Sequence, residues 1–155
     1  MTDMLPLDEK DRKILDELVR DGKATTGAIA KRCAIPVTTV HNRIKRFERS
    51  GLVKNYSPVL DHHKLGLEIF ALIFLTVEGK VPGSKAVDQQ ELAKMALKIA
   101  GIENVRILTG SFDLLLEARV KNVDALNRLL VKELRKLPGV DKTQTMLVLE
   151  EITKR

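Results

Sequence analysis

Residues 25–51 read TTGAIAKRCAIPVTTVHNRIKRFERSG, and their interpretation decides how the rest of the chain is organised. Thr25 or Thr26 can cap a helix by accepting a hydrogen bond from a backbone N–H two or three residues on. Ile29, Ala30 and Cys33 then share one face of that helix. Ala34-Ile35-Pro36 interrupts it, because a proline cannot continue a helix but readily begins one. The next helix is expected from about Pro36 to Ser50, stopping at Gly51, with Val37, Val40, Ile44 and Phe47 spaced as one buried stripe. Two short helices joined by a tight turn, the second one basic, have the shape of a helix-turn-helix. With the stripe docked, Thr38, Thr39, His41, Asn42, Lys45, Arg46 and Arg49 are distributed over the remaining surface. Hydroxyls and an amide near the start of such a helix suit base edges in a major groove, where Asn pairs bidentately with adenine. Lysines and arginines farther along suit phosphates, as does Lys54 just beyond the helix. Thr25 and Thr26 offer hydroxyls or N–H groups to a phosphate. Arg43, one residue before Ile44, suits either a phosphate contact or a salt bridge within the domain.

Charge supports this reading through its placement. From Lys31 to Lys54 there are seven basic residues (Lys31, Arg32, Arg43, Lys45, Arg46, Arg49, Lys54) against one acid, Glu48, a net +6 that equals the formal charge of all 155 residues. Elsewhere the charges cancel. A local basic excess is what a phosphate-contacting surface needs, since each neutralised phosphate releases counterions; a solvated basic helix face is the plainer alternative. Aromatic residues make up only 3% of the chain, too few for the stacking platforms that hold single strands. Double-stranded DNA is therefore the expected partner.

Outward from this element, the first sixty residues read as helical. Ile14, Leu15, Leu18 and Val19 recur at helical spacing, acids in Leu7-Asp8-Glu9 suit the positive end of a helix dipole, and Gly22 stands where a cap would end the helix. Ser57-Pro58 marks an extended stretch. Asp61-His62-His63-Lys64-Leu65-Gly66 reads as a connector, giving residues 1–60 as a DNA-binding domain, 61–68 as a linker or hinge, and 69–155 as a second domain. The second domain alternates. Strands are expected at Ile69 to Val77, Val105 to Thr109, Leu114 to Val120 and Val140 to about Ile152, with helices at Asp88 to Ala100 and Val123 to Lys136. The order βαββαβ is that of a ferredoxin-like domain, so the fold class is α+β in two domains. Ile69 to Leu75 and Met146 to Leu149 are apolar on both alternating faces, yet in this arrangement helices cover only one face of the sheet. The same face of a second subunit is the simplest cover, which predicts a homodimer.

Five stretches of residues together resemble the Lrp/AsnC, or feast/famine, regulators. In the first domain they are LDEKDRKIL from Leu7 to Leu15, Asp21-Gly22-Lys23-Ala24-Thr25, and TTVHNRIKRFE from Thr38 to Glu48 with Gly51-Leu52-Val53. In the second they are Thr109-Gly110-Ser111-Phe112-Asp113, and Leu137-Pro138-Gly139-Val140 through Thr143-Gln144-Thr145. The resemblance runs from Leu7 through essentially the whole chain. It implies a winged-type helix-turn-helix, a linking strand, and a ligand-sensing ferredoxin-like domain assembling into dimers and often octamers. It also implies an amino acid or related small molecule bound between dimers at the Gly-x-x-Asp turn and neighbouring strand ends. Two features depart from the family pattern: Pro36 stands where Ser commonly begins the third helix, and the stretch 78–87 is longer than the usual connection, suggesting a surface loop.

Gly110-Ser111-Phe112-Asp113 reads first as a hairpin turn, with Gly taking a positive φ and Asp capping locally. Read functionally, the Thr109, Gly110 and Ser111 segment adds N–H groups and a hydroxyl for an acid group, and Asp113 a carboxylate for an ammonium. Thr143, Gln144 and Thr145 would form a second wall, unless they are simply the polar residues of a strand entering solvent. His62-His63 lacks a third ligand and reads as a solvated hinge, and Cys33 as a small core residue. No Ser-His-Asp order, Gly-rich phosphate loop or metal signature occurs, so no catalytic residue, cofactor or metal is expected. A single cysteine, the absence of a signal-peptide pattern and no long apolar run point to a cytoplasmic protein with no membrane partner. Two further readings share the scaffold. A sirohaem-decarboxylase-like enzyme would need His and aromatic residues that Val105-Arg106-Ile107-Leu108 lacks, and a DNA-compacting protein would use the same helix without sequence preference.

Overall fold

The computed structural model describes residues 4–78 and 88–152, so nearly all of the long 78–87 stretch lies outside the described residues. The chain divides into two compact units, one ending at Leu60 and the other starting at Asp61.

The first unit contains α1 (Glu9–Arg20), α2 (Thr26–Cys33) and α3 (Val37–Arg49). Asp8 caps α1 in a reciprocal box: its carboxylate accepts from the Asp11 N–H, and the Asp11 carboxylate accepts from the Asp8 N–H. Thr25 caps α2 through its hydroxyl. Pro36 leaves α3 with no side-chain cap, as its lack of a side-chain acceptor requires. Ile14, Leu18, Ile29, Ile35, Val40 and Phe47 form the core, with Cys33 packed at its edge. Two residues assigned to apolar stripes lie outside it. Val19 is 89% exposed and Val37 is 50% exposed. Each sits at the margin of its helix's apolar arc, and only docking geometry decides which margin closes. Ala34 ends α2 in the left-handed conformation, at φ 53.

The second unit contains β1 (Ile69–Val77), α4 (Gln89–Leu97), β2 (Ile102–Ile107), β3 (Leu114–Val120), α5 (Val123–Arg128) and β4 (Val140–Leu147). The sheet order is β2-β3-β1-β4 with every neighbouring pair antiparallel, the expected ferredoxin-like topology. Side chains alternate strictly. Ala71, Ile73, Leu75, Leu114, Leu116 and Ala118 are buried under Leu92, Ala96, Leu126, Leu129 and Leu134 from the helical layer.

Three boundaries differ from the sequence reading, each for a tertiary reason. β4 stops at Leu147, where its ladder with β1 ends, rather than near Ile152: Ala71 pairs with Leu147, and the Val148 N–H makes a last bond to the Phe70 carbonyl. β2 starts earlier, at Ile102, because it pairs with β3 across an irregularity between Ile102 and Asn104. Gly101 permits that start, since at φ +93 a Cβ would meet the Arg119 carbonyl at 3.2 Å. The expected helix from Val123 to Lys136 changes pitch, widening to π over Leu129–Glu133 and tightening to 3-10 over Leu134–Lys136. The wide turn re-phases the chain so that Leu126, Leu129 and Leu134 all face the sheet.

The segment 61–68 is not slack. Leu65, Gly66 and Leu67 N–H groups bond back to His62 and His63 carbonyls, and the His62 Nε2 lies 3.3 Å from Glu103 Oε1. Among the described residues, 54–60 form no ladder with any strand, so the linking strand implied by the family resemblance has no partner there.

Candidate functional site

The basic window folds into one surface with two kinds of cation. Arg43 Nη1 reaches both Asp8 and Asp11 at 2.6–2.7 Å, and Arg46 Nη2 lies 2.6 Å from the other Asp11 oxygen. Asp11 is only 1% exposed. Burial opposes its charge, but hydrogen bonds from Arg43, the Asp8 N–H and Arg46 outweigh this and hold the carboxyl below the usual range. Of the two roles open to Arg43, the salt bridge within the domain is therefore the one formed. Arg32 is likewise paired, with Glu17 at 2.9 Å. Among the described residues, Lys31, Lys45, Arg49 and Lys54 form no ion pair and remain available to phosphates.

The uncharged polar residues cluster at the other end of α3. Thr38, His41 and Asn42 are exposed and, with Val37 and Thr26, line one surface concavity of about 340 Å³. Positions 38 and 42 stack one turn apart, as do 37 and 41, so the four form a continuous patch on the side opposite Val40 and Phe47. Thr39 is half-buried and outside it, and the Thr25 hydroxyl is already engaged by the Ala28 N–H at 3.2 Å. Asp8 and Asp11 are the residues that sequence reasoning missed here; their Asp-x-x-Asp spacing signals the capping box but says nothing of the arginines on α3.

In the second unit, Thr109, Gly110 and Ser111 are exposed at the β2–β3 turn, with Gly110 at φ +123. Asp113 is the clamp of this corner. Its N–H donates to the Leu75 carbonyl and its carbonyl accepts from the Leu108 N–H. Its carboxylate accepts from the Val77 N–H at 2.8 Å and from the Gln89 amide at 2.7 Å. Gln89, the first residue of α4, had no local signal in the sequence. Thr143 and Thr145 lie on the helix-covered face opposite Leu75 and Ile73, whereas Gln144 pairs with Phe74 on the other face. The three are thus split across the sheet, and Gln144 shares its face with Phe74 and with Phe112, whose rings are 5.0 Å apart.

That second face carries Phe70, Leu72, Phe74, Leu115 and Met146, and no helix of the described residues covers it. Several of its polar members are paired: Arg119 bonds Glu103 and Glu151 while lying 3.9 Å over the Phe70 ring, and Arg106 and Asn104 hold Glu117.

Comparison with known proteins agrees with both halves. A sequence model of winged helix-turn-helix DNA-binding domains matches residues 7–54, and one of the Lrp/AsnC ligand binding domain matches residues 71–155. The leucine-responsive regulatory protein of Salmonella typhimurium is 34% identical over 94% of this chain and 87% of its own length. An uncharacterized HTH-type transcriptional regulator of Pyrococcus horikoshii is 34% identical over 91% of each chain. A Neisseria meningitidis transcriptional regulator crystallised as an L-Met complex superposes with a TM-score of 0.87 at 29% identity, covering 96% of this chain and 94% of its own. Among the described residues no helix is long and apolar enough to cross a membrane. Pairing a helix-turn-helix that presents a polar, basic third helix with an Lrp/AsnC ligand-binding domain, this chain is a DNA-binding transcriptional regulator and belongs to the Lrp/AsnC family.

Proposed function

We propose that this regulator works as a homodimer, or as an octamer built from four such dimers, that reads pseudo-palindromic duplex DNA and is biased by an amino acid bound in the second domain. The observation that carries the DNA half is the division of α3 into a buried stripe and an exposed patch of Thr38, His41 and Asn42 flanked by Lys45 and Arg49. Asn42 and Thr38 contact base edges, and Lys45, Arg49 and Lys54 neutralise phosphates, while Arg43 and Arg46 are held by Asp11 and orient the helix. Two α3 helices of a dimer enter successive major grooves about one helical turn apart. The uncovered sheet face supports dimerisation, and the extended 54–60 segment is free to pair with its counterpart in a second chain.

For the effector half, the Gly110–Ser111 turn offers N–H groups and a hydroxyl, and Asp113, with lone pairs beyond those used by Val77 and Gln89, offers an acceptor. The L-Met bound by the Neisseria relative supports an amino acid as the ligand class. Selection from random duplexes at two salt concentrations tests the DNA reading: a symmetric consensus and weakening with salt are expected, and a pool without consensus refutes it. Thermal shift against the amino acids tests the effector, since a ligand bound only by the native state raises its midpoint.

A further inference from the structure

We infer that Val37 reads the 5-methyl group of a thymine, making it a specificity-determining residue of the DNA interface; this rests on the proposed groove-reading role of α3. Val37 is the one residue of the apolar pattern on α3 that the fold leaves outside the core: Val40 and Phe47 are completely buried, whereas Val37 is 50% exposed. It opens the helix directly after Pro36, which has φ −55 and supplies no side-chain cap. Its neighbours in the concavity are Thr26, Thr38, His41 and Asn42, so an apolar knob stands inside an otherwise hydrogen-bonding patch.

That combination fits one base edge. In the major groove only thymine presents a methyl group; guanine, adenine and cytosine present acceptors or amino donors that an isopropyl group cannot satisfy. Burying such a polar edge against valine leaves it without a partner, so the discrimination is both attractive toward thymine and repulsive toward the others. Residues at the start of a recognition helix are the ones that reach base edges, which is where residues 37 and 38 sit. The unpaired cations Lys45 and Arg49 farther along the same helix make a polyanion the occupant of this surface. Folding itself gives no reason for a valine here, since Val37 is neither part of the first unit's core nor among the side chains packed against it.

The test uses the full chain and the consensus duplex obtained by selection, with each dT replaced in turn by dU, which deletes the methyl and nothing else. Loss of about one methyl's burial predicts that dU at one position per half-site weakens wild-type binding by about fourfold. Val37→Ala should weaken binding to the parent duplex by a similar factor and abolish the dT-over-dU preference at that position alone, with its thermal midpoint unchanged. If no dU substitution alters wild-type affinity, or if the preference persists undiminished in Val37→Ala, the assignment to Val37 is wrong while DNA reading by α3 stands. A selection that returns no consensus overturns both.

Discussion

Replacing Asp11 by Asn removes a charge from the centre of the first unit while keeping nearly the same shape. In the wild type, Asp11 is 1% exposed, touches Arg43 and Arg46 at 2.6 Å each, and closes the cap of α1 at 3.0 Å from the Asp8 N–H. Removing one partner of a buried ion pair costs about 3–5 kcal/mol when the orphaned charge stays dry. Here the arginine side chains are 22% and 42% exposed, so both recover water, and about 2–3 kcal/mol is expected instead. Urea unfolding of the full chain followed by circular dichroism reads this as an earlier transition of the helical unit. The pH dependence separates charge from shape. The folded-state pKa of Asp11 is lowered, so its contribution is fully present above the unfolded value near 4 and is lost as pH falls through the folded value. Wild type and Asp11→Asn should therefore differ most at neutral pH and converge as the pH falls below the folded value. A cost below roughly 0.5 kcal/mol at pH 7, or one unchanged at low pH, would refute the network as the holder of α3.

Three further outcomes follow from separate parts of the fold. Ala34 is exposed with φ 53, where a Cβ is strained, so Ala34→Gly should stabilise the first unit by about 1 kcal/mol, seen as a higher midpoint in thermal denaturation. Lys45→Ala should lower affinity for all duplexes and reduce the slope of log affinity against log salt by about 1, whereas Asn42→Ala should relax preference at one base pair with the slope unchanged. Leu72→Asp places a charge on the uncovered sheet face, where no intrachain core is disturbed, and sedimentation should then give a monomer.

Much of this protein is legible in its sequence because local rules act over short separations. Thr25 and Pro36 bracket α2 and the start of α3; Gly51 ends the helical segment; apolar runs bounded by turn residues place β1 and β3 to the residue. The polar face of α3 and the +6 concentrated around it are likewise properties of consecutive residues. Family membership is carried by motifs spread along nearly the whole chain, so it too survives the loss of tertiary detail. What required the fold were pairings between residues far apart in sequence. Asp11 claims Arg43 and Arg46 from 32 and 35 positions away, and so divides a uniformly basic helix into cations that hold it and cations free for phosphate. Gln89 reaches Asp113 from 24 positions away and so makes the turn a clamp as well as a candidate ligand site. Strand pairing sets where β2 begins and β4 ends, since a strand extends only as far as its residues find ladder partners. Val37 belongs to the apolar pattern by spacing, but the angle at which α3 docks leaves it outside the core, and only a three-dimensional packing decision could have put it there.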